Sequence, residues 1–81
     1  KARILVIEDE MAINDLLCMN LEAAVNETVG YLDGNDASEG VVQDHEFQCA
    51  LVDIMLPEGW LYPFTGIKKV WYSGYISYGK G

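Results

Sequence analysis

The stretch Ile4-Leu5-Val6-Ile7-Glu8-Asp9-Glu10 sets four consecutive apolar residues directly before three acidic ones. A short, β-branched apolar run of this kind predicts a strand that is covered on both faces, as the strands of a parallel sheet are. The stretch Leu51-Val52-Asp53-Ile54-Met55-Leu56-Pro57 repeats the pattern, because the apolar segment from Phe47 to Val52 ends at Asp53. The sequence therefore predicts two buried strands, Arg3–Ile7 and Phe47–Val52, each followed at once by a carboxylate.

Between these strands the hydrophobic pattern changes twice. From Met11 to Ala24, apolar residues recur at three- and four-residue spacing, which predicts an amphipathic helix. Asn26 is expected to adopt the left-handed conformation that closes this helix. The segment from Glu27 to Leu32 then predicts a further strand.

The dipeptide Asp33-Gly34 is a turn signal that ends this strand. A short helix is predicted from Asp36 to about Gln43, with Asn35 or Asp36 as its N-cap. Short strands that alternate with helices in this way predict right-handed crossovers and a parallel sheet. The fold class predicted from the sequence is therefore α/β.

Composition narrows the classes of function. The chain has 81 residues, with 13 acidic and 5 basic ones and a net charge of −8. Such a surface repels phosphate backbones, so direct nucleic-acid binding is not expected. Cys18 and Cys49 lie in apolar stretches and are expected to be reduced, which favours a cytoplasmic location. No apolar run approaches the roughly 18 residues of a membrane helix.

Three carboxylates are expected to meet at one edge of the sheet. Glu8 and Asp9 follow the first strand, Asp53 follows the third, and these two strands are neighbours in a doubly wound sheet. Carboxylates that lie close together repel one another, so their convergence requires a cation or raised pKa values. A hard divalent ion such as Mg²⁺, which prefers oxygen ligands, meets this requirement.

Four segments together resemble the receiver domains of two-component response regulators, most closely those of the winged-helix transcription-factor subfamily. These segments are Ile4–Glu10, Asn20–Ala24, Asp33–Gly34 and Leu51–Pro57. The resemblance implies a flavodoxin-like parallel sheet of strand order 2-1-3, truncated after the third strand, with residues 1–58 as the N-terminal half of a receiver domain. It also implies a function in phosphorelay signal transduction, with a histidine kinase as the phosphodonor.

The resemblance further implies the role of each site residue. Asp53 is implied to be the phosphoacceptor, and Glu8 and Asp9 to bind Mg²⁺ together with it. The backbone carbonyl of Met55 is implied to complete the metal shell. The Thr or Ser after the fourth strand and the Lys after the fifth strand of that family have no counterpart in recognisable context here, so activity is expected to be impaired.

Residues 59–81 form an aromatic tail without an acidic residue that does not match the family. A shift of reading frame after Glu58 accounts for it, because Trp60 and Trp71 would then become glycines at positions where the family has glycine. The alternative is a natural or designed tail that happens to be aromatic. The alternation from Val70 to Tyr78 predicts an aromatic C-terminal strand or hairpin.

A sheet truncated in this way leaves its third strand as an exposed apolar edge, and such edges recruit other chains. We therefore expect the aromatic tail to cover this surface, within the chain or by exchange with a second copy, and a homo-oligomer to form through this strand and the tail. The alternative function is an oligomeric interaction or structural fragment without phosphotransfer. An independent enzyme is not expected, since no nucleophile–base pair or Gly-rich phosphate loop is visible. His45 is interpreted as a surface residue, and the basic pair Lys68-Lys69 as an aid to solubility rather than a contact with nucleic acid.

Overall fold

The structure, a computed structural model, describes residues 2–43, 46–54, 64, 66–67 and 69–72. Within these residues, four strands and two helices follow one another along the chain. They are β1 (Arg3–Ile7), α1 (Met11–Ala23), β2 (Glu27–Tyr31), α2 (Gly34–Gln43), β3 (Cys49–Val52) and β4 (Lys69–Tyr72). The α/β class predicted from the hydrophobic patterns is confirmed.

The four strands form one parallel sheet in the order β2-β1-β3-β4. Ile7 is level with Tyr31 of β2 and with Val52 of β3, and Val52 is level with Tyr72 of β4. All four strands therefore end at the same edge of the sheet. The first strand in the chain lies in the interior of the sheet, which is why its residues from Ile4 to Ile7 are all apolar and buried.

The core lies on both sides of β1 and on the side of β3 that Ala50 and Val52 share. Leu5, Val6, Ile7 and Val52 are completely buried, as the uninterrupted apolar pattern predicts for strands covered on two faces. The main cluster of buried side chains comes from β1, α2, β3 and the segments directly before β3 and β4. Its members are Leu5, Ile7, Ala37, Val41, Phe47, Ala50, Val52, Phe64 and Ile67.

The ends of the helices differ from the prediction in two places. The left-handed residue after α1 is Val25, with φ of 65°, and not Asn26. Asn26 instead closes the helix with its side chain, which donates to the Leu21 carbonyl at 3.0 Å and accepts from the Ala2 N–H at 3.2 Å. Helix α2 begins two residues earlier than predicted, because the Asp33 carboxylate accepts a hydrogen bond from the Asp36 N–H at 2.8 Å and so acts as the cap.

The third strand is not the edge of the sheet. β3 pairs with β4 along its full length, from Cys49↔Lys69 to Val52↔Tyr72. Part of the aromatic tail therefore covers the apolar edge within the same chain, and the predicted order 2-1-3 is extended to 2-1-3-4. Phe64 and Ile67 are buried in the same core as β1 and β3. The boundary between residues 58 and 59 stays a prediction.

Cys18 and Cys49 are free thiols. Of the two helices in the described part of the chain, neither combines the length and the apolar character that crossing a bilayer demands.

Candidate functional site

The site is built by the two residues that continue the parallel sheet one step beyond β1 and β3. The Glu8 N–H donates to the Tyr31 carbonyl at 3.0 Å, and the Asp53 N–H donates to the Ile7 carbonyl at 2.8 Å. Both backbones are thus fixed by the hydrogen-bonding pattern of the sheet. Glu8 and Asp53 come to lie side by side at the edge where the strands end.

Glu8 is the central carboxylate of this acidic site. It is only 4% exposed, and its Oε2 accepts a hydrogen bond from the Glu10 N–H at 2.7 Å. This hydrogen bond lowers the pKa of Glu8. Burial, hydrogen bonding with the carboxyls of Asp53 and Asp9, and the negative charge of Asp53 together outweigh it, so the pKa of Glu8 is raised above its ordinary value of 4.5.

Asn14 holds the backbone beneath the acidic site. Its Nδ2 donates to the Glu8 carbonyl at 3.0 Å and to the Tyr31 carbonyl at 2.8 Å. Its Oδ1 accepts a hydrogen bond from the Cys18 thiol at 3.6 Å. One buried amide therefore ties the ends of β1 and β2 to helix α1, which fixes the position from which the Glu8 side chain starts.

Three of the four predicted site residues meet. The Glu8 carboxyl contacts those of Asp9 and Asp53, although Asp9 is exposed and Asp53 half-buried. The fourth, Met55, lies outside the described residues, and its carbonyl stays a predicted ligand. In the part of the chain that the structure describes, no three side chains of His, Cys, Asp or Glu already stand in an arrangement for holding a metal ion.

The donor set nevertheless fits a hard divalent cation by its chemistry. Carboxylate oxygens are the ligands that Mg²⁺ and Ca²⁺ take, and Mg²⁺ keeps several of its waters and needs only one or two carboxylates. The carboxyls of Glu8, Asp9 and Asp53 contact one another, so binding requires them to turn from each other towards the ion. A cation would remove the repulsion that otherwise raises the pKa of Glu8.

Asn14 was not among the site residues predicted from the sequence. A signal for its role was present. Asn14 lies on the same helix face as Leu17, Cys18 and Leu21, the residues of α1 that are partly buried against the sheet. A polar residue on the buried face of a helix is expected to have a hydrogen-bonded partner.

The fold and the site together define a small parallel α/β unit with an acidic site at the carboxyl edge of its sheet, where open sheets of this class bind ligands. No family model matches the chain. The chain is 40% identical over 65 residues to a probable transcriptional regulatory protein of Picosynechococcus sp.. The match covers 72% of this chain, which spans only 26% of the length of that relative.

These comparisons correct the assignment made from the sequence. The name of the relative describes transcriptional regulation and not phosphotransfer, and no model of the receiver family matches. The expectation of a response-regulator receiver in a phosphorelay, with a histidine kinase as its partner, was therefore wrong. The expectation that a shift of reading frame after Glu58 produced the tail depended on the same resemblance, so it loses its support. The phosphoacceptor role of Asp53 was implied by that resemblance alone, and no observation on the described residues tests it.

Proposed function

We propose that this chain is a regulatory α/β segment of a transcriptional regulatory protein and that its acidic site binds a divalent cation, with Mg²⁺ as the ion. Glu8, Asp9 and Asp53 supply the oxygen ligands. The observation that carries the proposal is the contact of the buried Glu8 carboxyl with two further carboxyls. Burying like charges together is costly, and a bound cation compensates for it.

The topology supports the choice of this edge. In doubly wound sheets of the flavodoxin-like type, whose order is 2-1-3-4-5, ligands bind beyond the carboxyl ends of the strands where the strand order reverses. The order β2-β1-β3-β4 places this reversal between β1 and β3. Glu8 and Asp53 follow these two strands directly, so we assign the segment to that flavodoxin-like arrangement.

Two observations support the proposed regulatory role: the name of the similar protein and the net charge of this chain. The name of the relative refers to transcription, whereas a net charge of −8 makes this chain unsuited to contact DNA phosphates. We therefore assign to it control of a regulatory protein and not contact with DNA. A bound cation holds the segment after β1 to the segment after β3. A neighbouring domain or protein can recognise this change at the edge of the sheet.

A titration with MgCl₂ tests the cation site, monitored by ¹H–¹⁵N NMR spectra at constant ionic strength set with NaCl. Saturable shifts are expected at the amide of Asp9, which is itself a ligand, and at the amide of Ile54, which follows Asp53. Glu8→Gln and Asp53→Asn should each weaken binding by about tenfold or more, because each removes one charged ligand.

The matched control is Glu39→Gln, which removes one negative charge from the exposed face of α2 and should leave the affinity unchanged. Shifts that are equally large in this variant and in Glu8→Gln would show that only the net charge of the chain matters. A wild-type titration with no saturable shift near β1 and β3 would refute the cation site. A parallel titration with CaCl₂ identifies the preferred ion.

A further inference from the structure

Two polar side chains are buried in the part of the chain that the structure describes, and they belong to residues that contact each other. Glu8 is 4% exposed and Asn14 is 5% exposed, and Asn14 Nδ2 donates to the Glu8 backbone carbonyl at 3.0 Å. A buried amide costs free energy unless its groups are hydrogen-bonded, whereas an apolar side chain carries no such cost. The presence of an amide at residue 14 is therefore explained by what its hydrogen bonds hold.

Asn14 holds residues 8–10 at both ends. Its side chain donates to the Glu8 carbonyl, and its own backbone N–H donates to the Glu10 carbonyl at 2.8 Å. The three residues between these contacts include two of the three proposed ligands, Glu8 and Asp9. One residue of α1 thus restrains the backbone from which both carboxylates extend.

The same amide attaches this segment to β2. The Tyr31 carbonyl accepts hydrogen bonds from Asn14 Nδ2 at 2.8 Å and from the Glu8 N–H at 3.0 Å. A carbonyl oxygen has two lone pairs, and here both are used. Asn14 Oδ1 in turn accepts a hydrogen bond from the Cys18 thiol at 3.6 Å. Both ends of the amide are engaged, so its orientation is fixed.

We propose that Asn14 is a positioning residue of the cation site and sets the preference of this site for Mg²⁺ over Ca²⁺. The inference rests on the proposed function of the acidic site. Mg²⁺ takes its ligands at about 2.0–2.1 Å in near-ideal octahedral geometry, whereas Ca²⁺ accepts flexible ligands at about 2.3–2.6 Å. A segment that is held at both ends suits the smaller ion with its stricter geometry. Loosening the segment therefore costs Mg²⁺ binding more than Ca²⁺ binding.

Titrations of wild type and Asn14→Ala with MgCl₂ and with CaCl₂, monitored by NMR spectra, test the proposal. Asn14→Ala should weaken Mg²⁺ binding by about tenfold or more, because groups that orient metal ligands typically contribute this much. Ca²⁺ binding should weaken less, so the ratio of the Mg²⁺ affinity to the Ca²⁺ affinity should fall. A general loss of stability does not by itself change this ratio.

Val41→Ala is the matched control. It also truncates a buried side chain to alanine, because Val41 is 2% exposed in the core, and it should destabilise the fold. Val41 lies on α2, which supplies none of the proposed ligands. Both affinities and their ratio should therefore stay at the wild-type values.

A measurement on the unaltered chain covers the case in which Asn14→Ala does not fold. Coupling between two sites is reciprocal, so Mg²⁺ should slow the exchange of the Asn14 side-chain amide protons with solvent. The side-chain amide of Asn20, which is exposed on the same helix, should not respond.

The possible outcomes separate this proposal from the one on which it rests. Mg²⁺ and Ca²⁺ affinities that fall equally in Asn14→Ala, or that do not fall, would overturn the positioning role and leave the cation site in place. Asn14 side-chain protons that do not respond to saturating Mg²⁺ would overturn it as well. A wild-type chain that binds neither ion would refute the cation site and this inference together.

Discussion

Asn14 and Gly30 share one small volume between α1 and β2. A Cβ added at Gly30 would collide with Asn14 Oδ1 and lie 3.3 Å from Cys18 Sγ. Asn14 cannot turn away freely, because its Nδ2 donates to the carbonyls of Glu8 and Tyr31. The absence of a side chain at position 30 therefore lets α1 approach the sheet closely enough for one amide to hold the ends of two strands.

Gly30→Ala should lower the free energy of unfolding by about 1–3 kcal/mol, since overpacking of a well-packed contact costs about this amount. Urea denaturation measures it. Gly66→Ala is the control, because a Cβ at Gly66 meets no atom within 4 Å. In an Asn14→Ala background the cost of Gly30→Ala should shrink, and a cost that is the same in both backgrounds would contradict the contact.

Gly40→Ala should destabilise the protein although alanine is the better helix former. A Cβ at Gly40 in α2 would collide with the Tyr31 hydroxyl and ring. In a Tyr31→Ala background this obstacle is absent, and Gly40→Ala should then stabilise the helix by up to about 1 kcal/mol. Thermal unfolding of the four proteins in this cycle measures the change of sign, and the same sign in both backgrounds would refute the contact.

Val25→Gly should stabilise the protein by about 1 kcal/mol. Val25 has φ of 65°, a conformation that is strained for a β-branched residue and natural for glycine after a helix. Val42→Gly is the matched control, since Val42 is an exposed valine within α2 and its replacement by glycine should destabilise. If Val25→Gly destabilises as much as the control does, the backbone at residue 25 carries no strain.

Glu8→Gln should stabilise the cation-free protein increasingly as the pH rises. The pKa of Glu8 in the folded protein lies above its ordinary value of 4.5. Below pH 4.5 the carboxyl is protonated in both the folded and the unfolded state, and its contribution to stability is fully present. As the pH rises through the folded pKa, the buried group ionises and this contribution is lost, whereas glutamine at the same position cannot ionise.

Urea denaturation of wild type and Glu8→Gln from about pH 4 to about pH 8, with a chelator present, measures this difference. The gap in unfolding free energy between the two proteins should widen with pH. Glu39→Gln, at an exposed position of α2, should show a flat difference. A gap between wild type and Glu8→Gln that narrows with pH would mean that the folded state favours the ionised form of Glu8.

The elements of the fold were predictable where the periodicity of the sequence is strong. The apolar run Arg3–Ile7 predicted β1 with its observed bounds, and the helical spacing predicted α1 to within one residue at its end. The meeting of Glu8 and Asp53 also followed from sequence, because carboxyl ends of neighbouring parallel strands share one edge. These features depend on local pattern and on topology, both of which the sequence displays.

Other features depend on contacts that no local pattern displays. Asn26 has the higher propensity for the left-handed conformation, but its side chain is engaged by Leu21 and Ala2, and Val25 takes the strained position. The alternation that begins at Val70 predicted a strand, and β4 (Lys69–Tyr72) confirms it for the described residues, but no local pattern displays the parallel pairing of β4 with β3. The family assignment failed because it depended mainly on apolar strands that end in carboxylates. Unrelated proteins with a parallel sheet share this pattern, so the pattern indicates the fold class and not the chemistry of the site.

The interior position of β1 also has a consequence for how the chain folds. β1 is the first strand in the sequence, and both strands that pair with it are distant in sequence, because Arg3 pairs with Glu27 and Ile4 pairs with Cys49. Its two ladders are non-local, and contacts of this kind slow folding because the intervening loops must close first. β1 therefore acquires both of its neighbouring strands only after β3 has joined the sheet. In the folded protein the amides of β1 should be among the slowest to exchange with solvent.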